Sequence, residues 1–269
     1  MILFPHAKIN IGLYVTEKRS DGFHNLESAF FPINWTDILE ITPANTFEFC
    51  STGIPIPGNI DQNLCVKAFR LLQEKYSIPN VIIQLHKIIP MGAGLGGGSS
   101  DAAFTLMGLR DLFNLPLSNQ ELVPFAQQLG SDCAFFLSDK PQFGTEKGDV
   151  LQDIEVSLKG LFGLLVYPRV GISTKEAYAG VCPIKAPNYL PQELQKPLEQ
   201  WKDLIHNDFE KSIFPNHPLL KKIKDQLYQK GAKYAAMSGS GSTLFGIFTS
   251  VPDSEIFEQQ GFITKIVEF

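Results

Sequence analysis

Residues 90–103 read Pro-Met-Gly-Ala-Gly-Leu-Gly-Gly-Gly-Ser-Ser-Asp-Ala-Ala, with five glycines among the seven residues 92–98. A stretch so bare of side chains lets backbone N–H groups close around an anion. Behind it, Ser99, Ser100 and Asp101 are residue types that cap helices, and a helix start carries partial positive charge. A bare loop running into a helix is a phosphate cradle. A second glycine–serine run, Met237-Ser238-Gly239-Ser240-Gly241-Ser242, stands in the other half of the chain. Two such loops suggest convergence on one polyanionic ligand.

Two familiar phosphate loops do not account for the first run. A Walker A loop needs Gly-Lys-Ser/Thr after its last glycine, and Gly98 is followed directly by Ser99. Gly92, Gly94 and Gly97 match the G-x-G-x-x-G dinucleotide fingerprint after the strand-like residues 81–85. The ribose-binding acid of that fingerprint should end a second strand about twenty residues on. Asp111 has the spacing but reads as part of the same helix, so the match is weak.

Residues 8–15 alternate, with Ile9, Ile11, Leu13 and Val15 on one face and Lys8, Asn10, Gly12 and Tyr14 on the other. The second face offers an ammonium and an amide two residues apart with a glycine beside them, or else is a solvated strand face. A turn at 20–22 leads to Phe23-His24, and strands are expected over 29–33 and 38–41. A helix is expected over 61–76, with Asp61 as N-cap and Leu64, Ala68, Leu71, Leu72 and Tyr76 on one stripe. The helix after the glycine loop should bury Ala103, Leu106, Met107 and Leu109. Another spans 119–129 and stops at Gly130. Asp132 follows it, a position that by itself suggests a cap or turn residue. Beyond a break between 149 and 159 come a strand over 161–167, a helix start near 171–178 and a proline-rich loop over 182–197. A helix over 218–230 follows, with a solvated lysine face and Gly231 as C-cap, and the strand over 243–248 follows the second loop. The expected domains are 1–155 and 156–269.

The 269 residues are 44% hydrophobic and 19% charged, the composition of an ordinary globular protein, with a net charge of −5. That balance excludes a nucleic-acid surface, and positive potential must be concentrated locally, in backbone amides and a few lysines. Cys50, Cys65, Cys133 and Cys182 are too scattered for a zinc or disulfide framework. Residues 1–5 are too short for a signal peptide and no run approaches 18 apolar residues, so a cytoplasmic protein with no membrane partner is expected.

Together these segments resemble the GHMP kinase superfamily and, within it, the family of kinases acting on 4-diphosphocytidyl-2-C-methyl-D-erythritol. The matching pieces are residues 7–13 with Asp21-Gly22-Phe23-His24, the glycine loop, and Leu129-Gly130-Ser131-Asp132. Residues 171–178, Asn207-Asp208-Phe209-Glu210 and 237–242 complete the set, which spans nearly the whole chain. The resemblance implies an α+β fold, with an N-terminal domain like the second domain of ribosomal protein S5 and a C-terminal ferredoxin-like domain. It implies ATP and Mg²⁺ as cofactors and a small-molecule substrate, a cytidine diphosphate-linked polyol, handled by a monomer or homodimer. Lys8 and Asp132 would be catalytic, Asp132 as general base. Pro90, Met91, Gly92, Ala93, Gly94, Leu95, Gly96, Gly97, Gly98, Ser99 and Ser100 would bind ATP, with Ser99 or Ser100 contacting phosphate or metal. Asn10, Phe23, His24, Thr174 and Tyr178 would bind substrate, and Gly239, Ser240 and Gly241 would form the second glycine loop.

Two positions depart from the family pattern. Phe23 stands where some members carry tyrosine, which keeps a stacking face and loses a hydroxyl. Cys133-Ala134 stand where Val-Pro is frequent after the aspartate, a change that bears on the local turn. Homoserine, mevalonate or galactose as acceptor would keep the same fold and loop. A catalytically silent binding protein is opposed by the presence of both Lys8 and Asp132.

Overall fold

Strand periodicity and helix caps divide the chain much as its sequence suggests. The computed structural model describes Met1–Phe269. In chain order the strands are β1 (Ile2–Leu3), β2 (His6–Lys18), β3 (His24–Thr36), β4 (Ile38–Pro43), β5 (Glu48–Gly53), β6 (Val81–Lys87), β7 (Gln142–Thr145), β8 (Val150–Asp153), β9 (Phe162–Tyr167), β10 (Tyr234–Met237), β11 (Leu244–Phe248) and β12 (Ile263–Glu268). The helices are α1 (Leu64–Tyr76), α2 (Gly97–Leu112), α3 (Asn119–Leu129), α4 (Thr174–Ala179), α5 (Leu190–Glu193), α6 (Leu198–Leu204), α7 (Asp208–Ile213), α8 (Pro218–Gln229) and α9 (Glu255–Glu258). The class is α+β, as expected. Contact density separates two units that interleave along the chain. One comprises Met1–Ala7, Trp35–Met91 and Gly96–Asp139; the other comprises Lys8–Asn34, Gly92–Leu95 and Lys140–Phe269. This division differs from a linear split at 155, because the β2–β3 segment groups with the C-terminal residues.

The first unit holds a sheet in the order β1-β4-β6-β5, in which β5 runs parallel to β6 and the other pairs are antiparallel. Alternation along β6 buries Val81, Ile83, Leu85 and Lys87. Helix α1 begins at Leu64 under an Asn63 cap whose side chain accepts from Cys65 N–H at 2.8 Å. Asp61 instead lies in a 3₁₀ turn, Ile60–Gln62, so the expected cap was two residues early. The buried stripe of α1 is Cys65, Val66, Ala68, Phe69 and Leu72 rather than one that includes Leu71 and Tyr76. Helix α3 spans the expected residues and carries a capping box between Ser118 and Glu121.

The second unit holds two four-stranded sheets, β2-β3-β7-β8 and the antiparallel β10-β11-β9-β12. Neither face of β2 is solvated, since Lys8 and Asn10 are as buried as Ile9 and Ile11. A core joins Leu13 and Val15 with Leu164, Val166, Phe209, Leu220, Ile223, Leu227 and Leu244. The segment expected as a proline-rich loop contains the helical turn α5, with Leu190 and Pro191 buried. Helix α8 ends at Gln229 with Lys230 as C-cap, and Gly231 follows in the left-handed region at φ +98°. Its face is not wholly solvated, because Lys224 bonds to Glu210 at 2.5 Å.

Candidate functional site: two glycine loops and their supports

The Lys8 face of β2 is a buried polar relay. Lys8 Nζ donates to Asn10 Oδ1, Asn10 Nδ2 donates to Ser28 Oγ at 2.8 Å, and Ser28 Oγ donates to Gly12 O at 2.7 Å. The ammonium also stands 5.4 Å from the Phe30 ring centre. Both ends of the Asn10 amide are thus engaged by the protein, so Asn10 orients Lys8. A buried ammonium fixed in this way is a directed positive charge, in keeping with an anionic or developing-anionic target.

Ser238 ties this strand to both glycine loops. Its Oγ accepts from Asn10 N–H at 3.3 Å and donates to Gly94 O at 2.8 Å. Lys8 N–H donates to Leu95 O at 3.0 Å, and Thr243 N–H donates to Ala93 O at 3.2 Å. The approach is so close that a Cβ at Gly94, where φ is +78°, would lie 2.0 Å from Ser238 O. Asn207 supports the second loop by donating from Nδ2 to Met237 O at 2.7 Å and Gly239 O at 2.8 Å. Glu210 accepts from Met237 N–H at 2.8 Å. Gly239 and Gly241 have positive φ, at 55° and 95°, and both are buried while Ser240 is half-buried.

His24 and Tyr178 come together, with rings stacked at 4.7 Å and 22°. Burial, with the Lys18 charge adding to it, holds the His24 imidazole below its ordinary value. It is therefore largely neutral at pH 7 and offers one donor and one acceptor. Tyr178 also meets Phe209 edge-on at 4.8 Å. Phe23 does not join this stack; it is 57% exposed, with Lys147 Nζ 5.6 Å from its ring. Thr174 is exposed at the start of α4, which Ser173 caps by accepting from Glu176 N–H at 3.1 Å.

In the first unit, α2 begins at Gly97 with Gly96 as N-cap at φ +70° and no side-chain capping bond. Ser99, Ser100 and Asp101 therefore lie inside the first turns and do not cap the helix, contrary to expectation. The left-handed Gly96 turns the chain into the helix early, and no side chain covers the first N–H groups, the arrangement that favours an anion. The Ser100 hydroxyl is buried without a protein partner. No atom lies within 4 Å of where a Cβ of Gly98 would sit. Met91 and Gly98 border a cavity of about 210 Å³ whose wall includes Ile56, Ile60, Leu64 and Asp101. Its apolar side suits a flat heterocycle.

Asp132 heads the 3₁₀ turn Cys133–Leu137, half-buried, and its side chain makes no capping bond. Of the two local readings, cap or turn residue, the turn holds: Asp132 lies in the turn that leads into this segment. The Cys133-Ala134 departure leaves the turn formed, with both residues buried. Burial pushes the Cys133 thiol up to about 12; a hydrogen bond with Ser99 opposes the shift and the Asp132 charge adds to it. The Asp132 turn therefore adjoins the first turn of α2 within this unit.

Two family descriptions match the chain, GHMP kinases N terminal domain over residues 63–140 and GHMP kinases C terminal over 192–259. A 4-diphosphocytidyl-2-C-methyl-D-erythritol kinase of Cytophaga hutchinsonii is 50% identical over 255 residues, covering 94% of each chain. The chain belongs to the 4-diphosphocytidyl-2-C-methyl-D-erythritol kinase family. A family member from Bacteroides fragilis is 48% identical over 95% of this chain and 94% of its own. The solved structure of a 4-(cytidine 5'-diphospho)-2C-methyl-D-erythritol kinase superposes with a TM-score of 0.85 at 28% identity, covering all of both chains. Homoserine kinase from Cytophaga hutchinsonii shares the fold, with a TM-score of 0.73 at 17% identity over 97% of this chain and 94% of its own.

For this kinase family ATP is the implied phosphoryl donor, generally with Mg²⁺. No group of three or more His, Cys, Asp or Glu stands where it could hold a metal ion. Mg²⁺ prefers phosphate oxygens and water with one or two protein oxygens, so hydroxyls beside a phosphate cradle fit its chemistry. No helix is long and apolar enough to cross a membrane. Residue types and spacing alone give no individual role to Ser238, Asn207 or the Lys87 cluster. Ser238 and Asn207 lie in quoted motifs. Lys87 had a legible signal, since alternation puts it in register with Val81, Ile83 and Leu85 on the inward face.

Proposed function

We propose that this chain transfers the γ-phosphoryl group of ATP to the 2-hydroxyl of 4-diphosphocytidyl-2-C-methyl-D-erythritol, in the non-mevalonate route to isoprenoid precursors. The observation that carries the reading is the 50% identity across 94% of the chain to a kinase of that name. Backbone amides of residues 92–98 and the start of α2 hold the triphosphate, with the adenosine end in the cavity beside Met91 and Gly98. The hydroxyl of Ser99 or Ser100 would help hold Mg²⁺ bound to the nucleotide, which would supply charge neutralisation at the transferring group. The need for ATP puts the reaction in the cytoplasm.

Asp132 is the general base in this reading. An aspartate is a weaker base than an alkoxide by about ten orders of magnitude, so it does not ionise the hydroxyl in advance. Proton transfer accompanies or follows bond formation to phosphorus, and most of the acceleration comes from alignment and charge stabilisation. Lys8, aimed by Asn10, polarises the accepting oxygen. The neutral His24 reads the polar edge of the cytosine, with Phe23, Thr174 and Tyr178 as the rest of the substrate pocket.

The test is ADP release with Mg-ATP and four acceptors offered separately: the cytidyl substrate, mevalonate, homoserine and galactose. Turnover confined to the cytidyl substrate supports the reading, and turnover with another acceptor overturns the pocket assignment. Asp132→Asn should lower kcat by about 10²–10⁴-fold while nucleotide affinity stays; near-normal turnover removes Asp132 from the role.

A further inference from the structure

Beneath the start of α2 lies a buried ionic cluster that the reaction described above does not use. Asp37, between β3 and β4, accepts through Oδ1 from Ile89 N–H at 2.8 Å and also from Ile88 N–H, and through Oδ2 from Lys87 Nζ. Lys87 Nζ donates in addition to Asp101 Oδ2 at 2.7 Å. None of the three side chains is more than 4% exposed. Burial works against the Lys87 ammonium, but Asp101 and Asp37 outweigh it and keep it charged. A Cβ on Gly97 would fall 2.9 Å from Lys87 Nζ, so the ammonium lies directly under the first turn of the helix.

The placement in sequence is what gives the cluster a purpose. Asp37 grips the chain where it leaves β6, at the entry to the glycine loop, and Lys87 reaches to Asp101, just past the loop's exit. The chain between Lys87 and Asp101, fourteen positions apart, therefore leaves and returns at fixed points. A glycine-rich segment has the most conformational freedom to lose on gripping a ligand, and fixing its stems removes part of that loss beforehand. We propose that Lys87 and Asp101 are positioning residues for the nucleotide, joined with Asp37 in a staple that holds both stems of the glycine loop ready for the triphosphate. The proposal rests on the reading of that loop as the ATP cradle.

The stoichiometry of the cluster provides a clean test. With two carboxylates on one lysine, Asp101→Leu, which matches aspartate in shape, leaves Lys87 and Asp37 as a balanced pair. The fold is then spared an unpaired buried charge, the usual reason such substitutions unfold proteins. Asp101→Asn keeps an oxygen for Lys87 and so keeps the staple. Binding of a non-hydrolysable ATP analogue with Mg²⁺ is measured by calorimetry, beside the acceptor KM. Asp101→Leu is expected to bind the analogue at least about 10-fold more weakly, Asp101→Asn within about 3-fold of the unmodified protein, with acceptor KM unchanged in both. Equal affinity in all three proteins, or equal weakening in the two variants, overturns the staple. Amide exchange on the unmodified, nucleotide-free protein reads the same point without any variant. Ile88, Ile89 and Ser100 should already be protected, and rapid exchange at all three also overturns it. If the unmodified protein ignores the analogue, the ATP reading itself is what fails.

Discussion

Replacing Gly94 by alanine tests the closure of the two glycine loops on each other. The new Cβ would stand 2.0 Å from Ser238 O, and ordinary contact begins at 3.4 Å, so one loop must retreat by 1.4 Å. The other close atoms, Ser238 C at 2.9 Å and Gly241 O at 3.1 Å, are backbone too, and no rotamer change relieves them. Alanine at φ +78° costs about 1–2 kcal/mol, and loss of the Ser238 Oγ bond to Gly94 O costs about 0.5–1.5 kcal/mol. Together these come to roughly 2–3 kcal/mol, a fall in Tm of about 5–10 °C for a chain of this size. Displacement of a positioning element by more than 1 Å is worth about 10²-fold in rate, so kcat/KM for ATP should fall about that far. Gly98→Ala is the control within the same loop, where nothing lies within 4 Å and φ is not positive. There alanine should hold or raise stability, by up to about 1 kcal/mol of helix propensity, and weaken ATP if the triphosphate lies along this loop as proposed. The assays are calorimetric melting and ATP-dependent ADP release. A Gly94→Ala protein with normal Tm and normal ATP KM would refute the argument, since the overlap leaves no room for a neutral outcome.

Two further outcomes follow from groups outside the loops. Burial by itself would raise the Asp208 carboxyl, but hydrogen bonds from His206, Val15 N–H and Lys211 more than offset this and hold it below its ordinary value. A depressed carboxyl stabilises the fold above its unfolded value of about 4 and loses that contribution as pH falls through the folded value. Asp208→Asn should therefore cost about 1–2 kcal/mol at pH 7, and its gap from the unmodified protein in denaturant melts should shrink progressively below about pH 4; a gap that does not shrink as pH falls below about 4 contradicts the assignment. Cys50 and Cys182 are exposed while Cys65 and Cys133 are buried. With the Cys133 thiol up to about 12 and Cys65 pushed further by burial, a thiol reagent should titrate two groups in the native protein and four after denaturation. Three or four fast-reacting thiols would contradict the burial.

What the sequence made legible was local. Alternation found β2 and β6, Gly130 and Gly231 marked the ends of α3 and α8, and the glycine run announced an anion site. Cap choice failed where two candidates of similar chemistry stood close together, as with Asp61 and Asn63. It failed again at α2, where a left-handed Gly96 starts the helix before any of the polar residues able to cap it. The alternation of β2 was correct, but whether its polar side faced solvent or a ligand stayed open, because a strand pattern cannot say what covers that side. Partners distant in sequence were invisible for the same reason. Nothing near Lys87 names Asp37, fifty positions earlier, and nothing near Gly94 names Ser238.

The arrangement around Ser238 also bears on how a chain with net charge −5 handles polyanions. With a net negative balance, selectivity for a polyanion comes from the direction of individual charges rather than from overall attraction. In the second unit the Lys8 ammonium is aimed by Asn10, whose own backbone N–H is held by Ser238, whose hydroxyl is in turn bonded to Gly94 O. A displacement of the first glycine loop is thereby transmitted through three hydrogen bonds to the lysine. The sensitivity expected of Gly94→Ala is accordingly not confined to nucleotide affinity. It extends to the step in which, on the proposed function, Lys8 polarises the acceptor, and kcat at saturating ATP should fall along with ATP binding. A loss limited to KM would mean that the loop and the lysine are set independently despite the bonds between them.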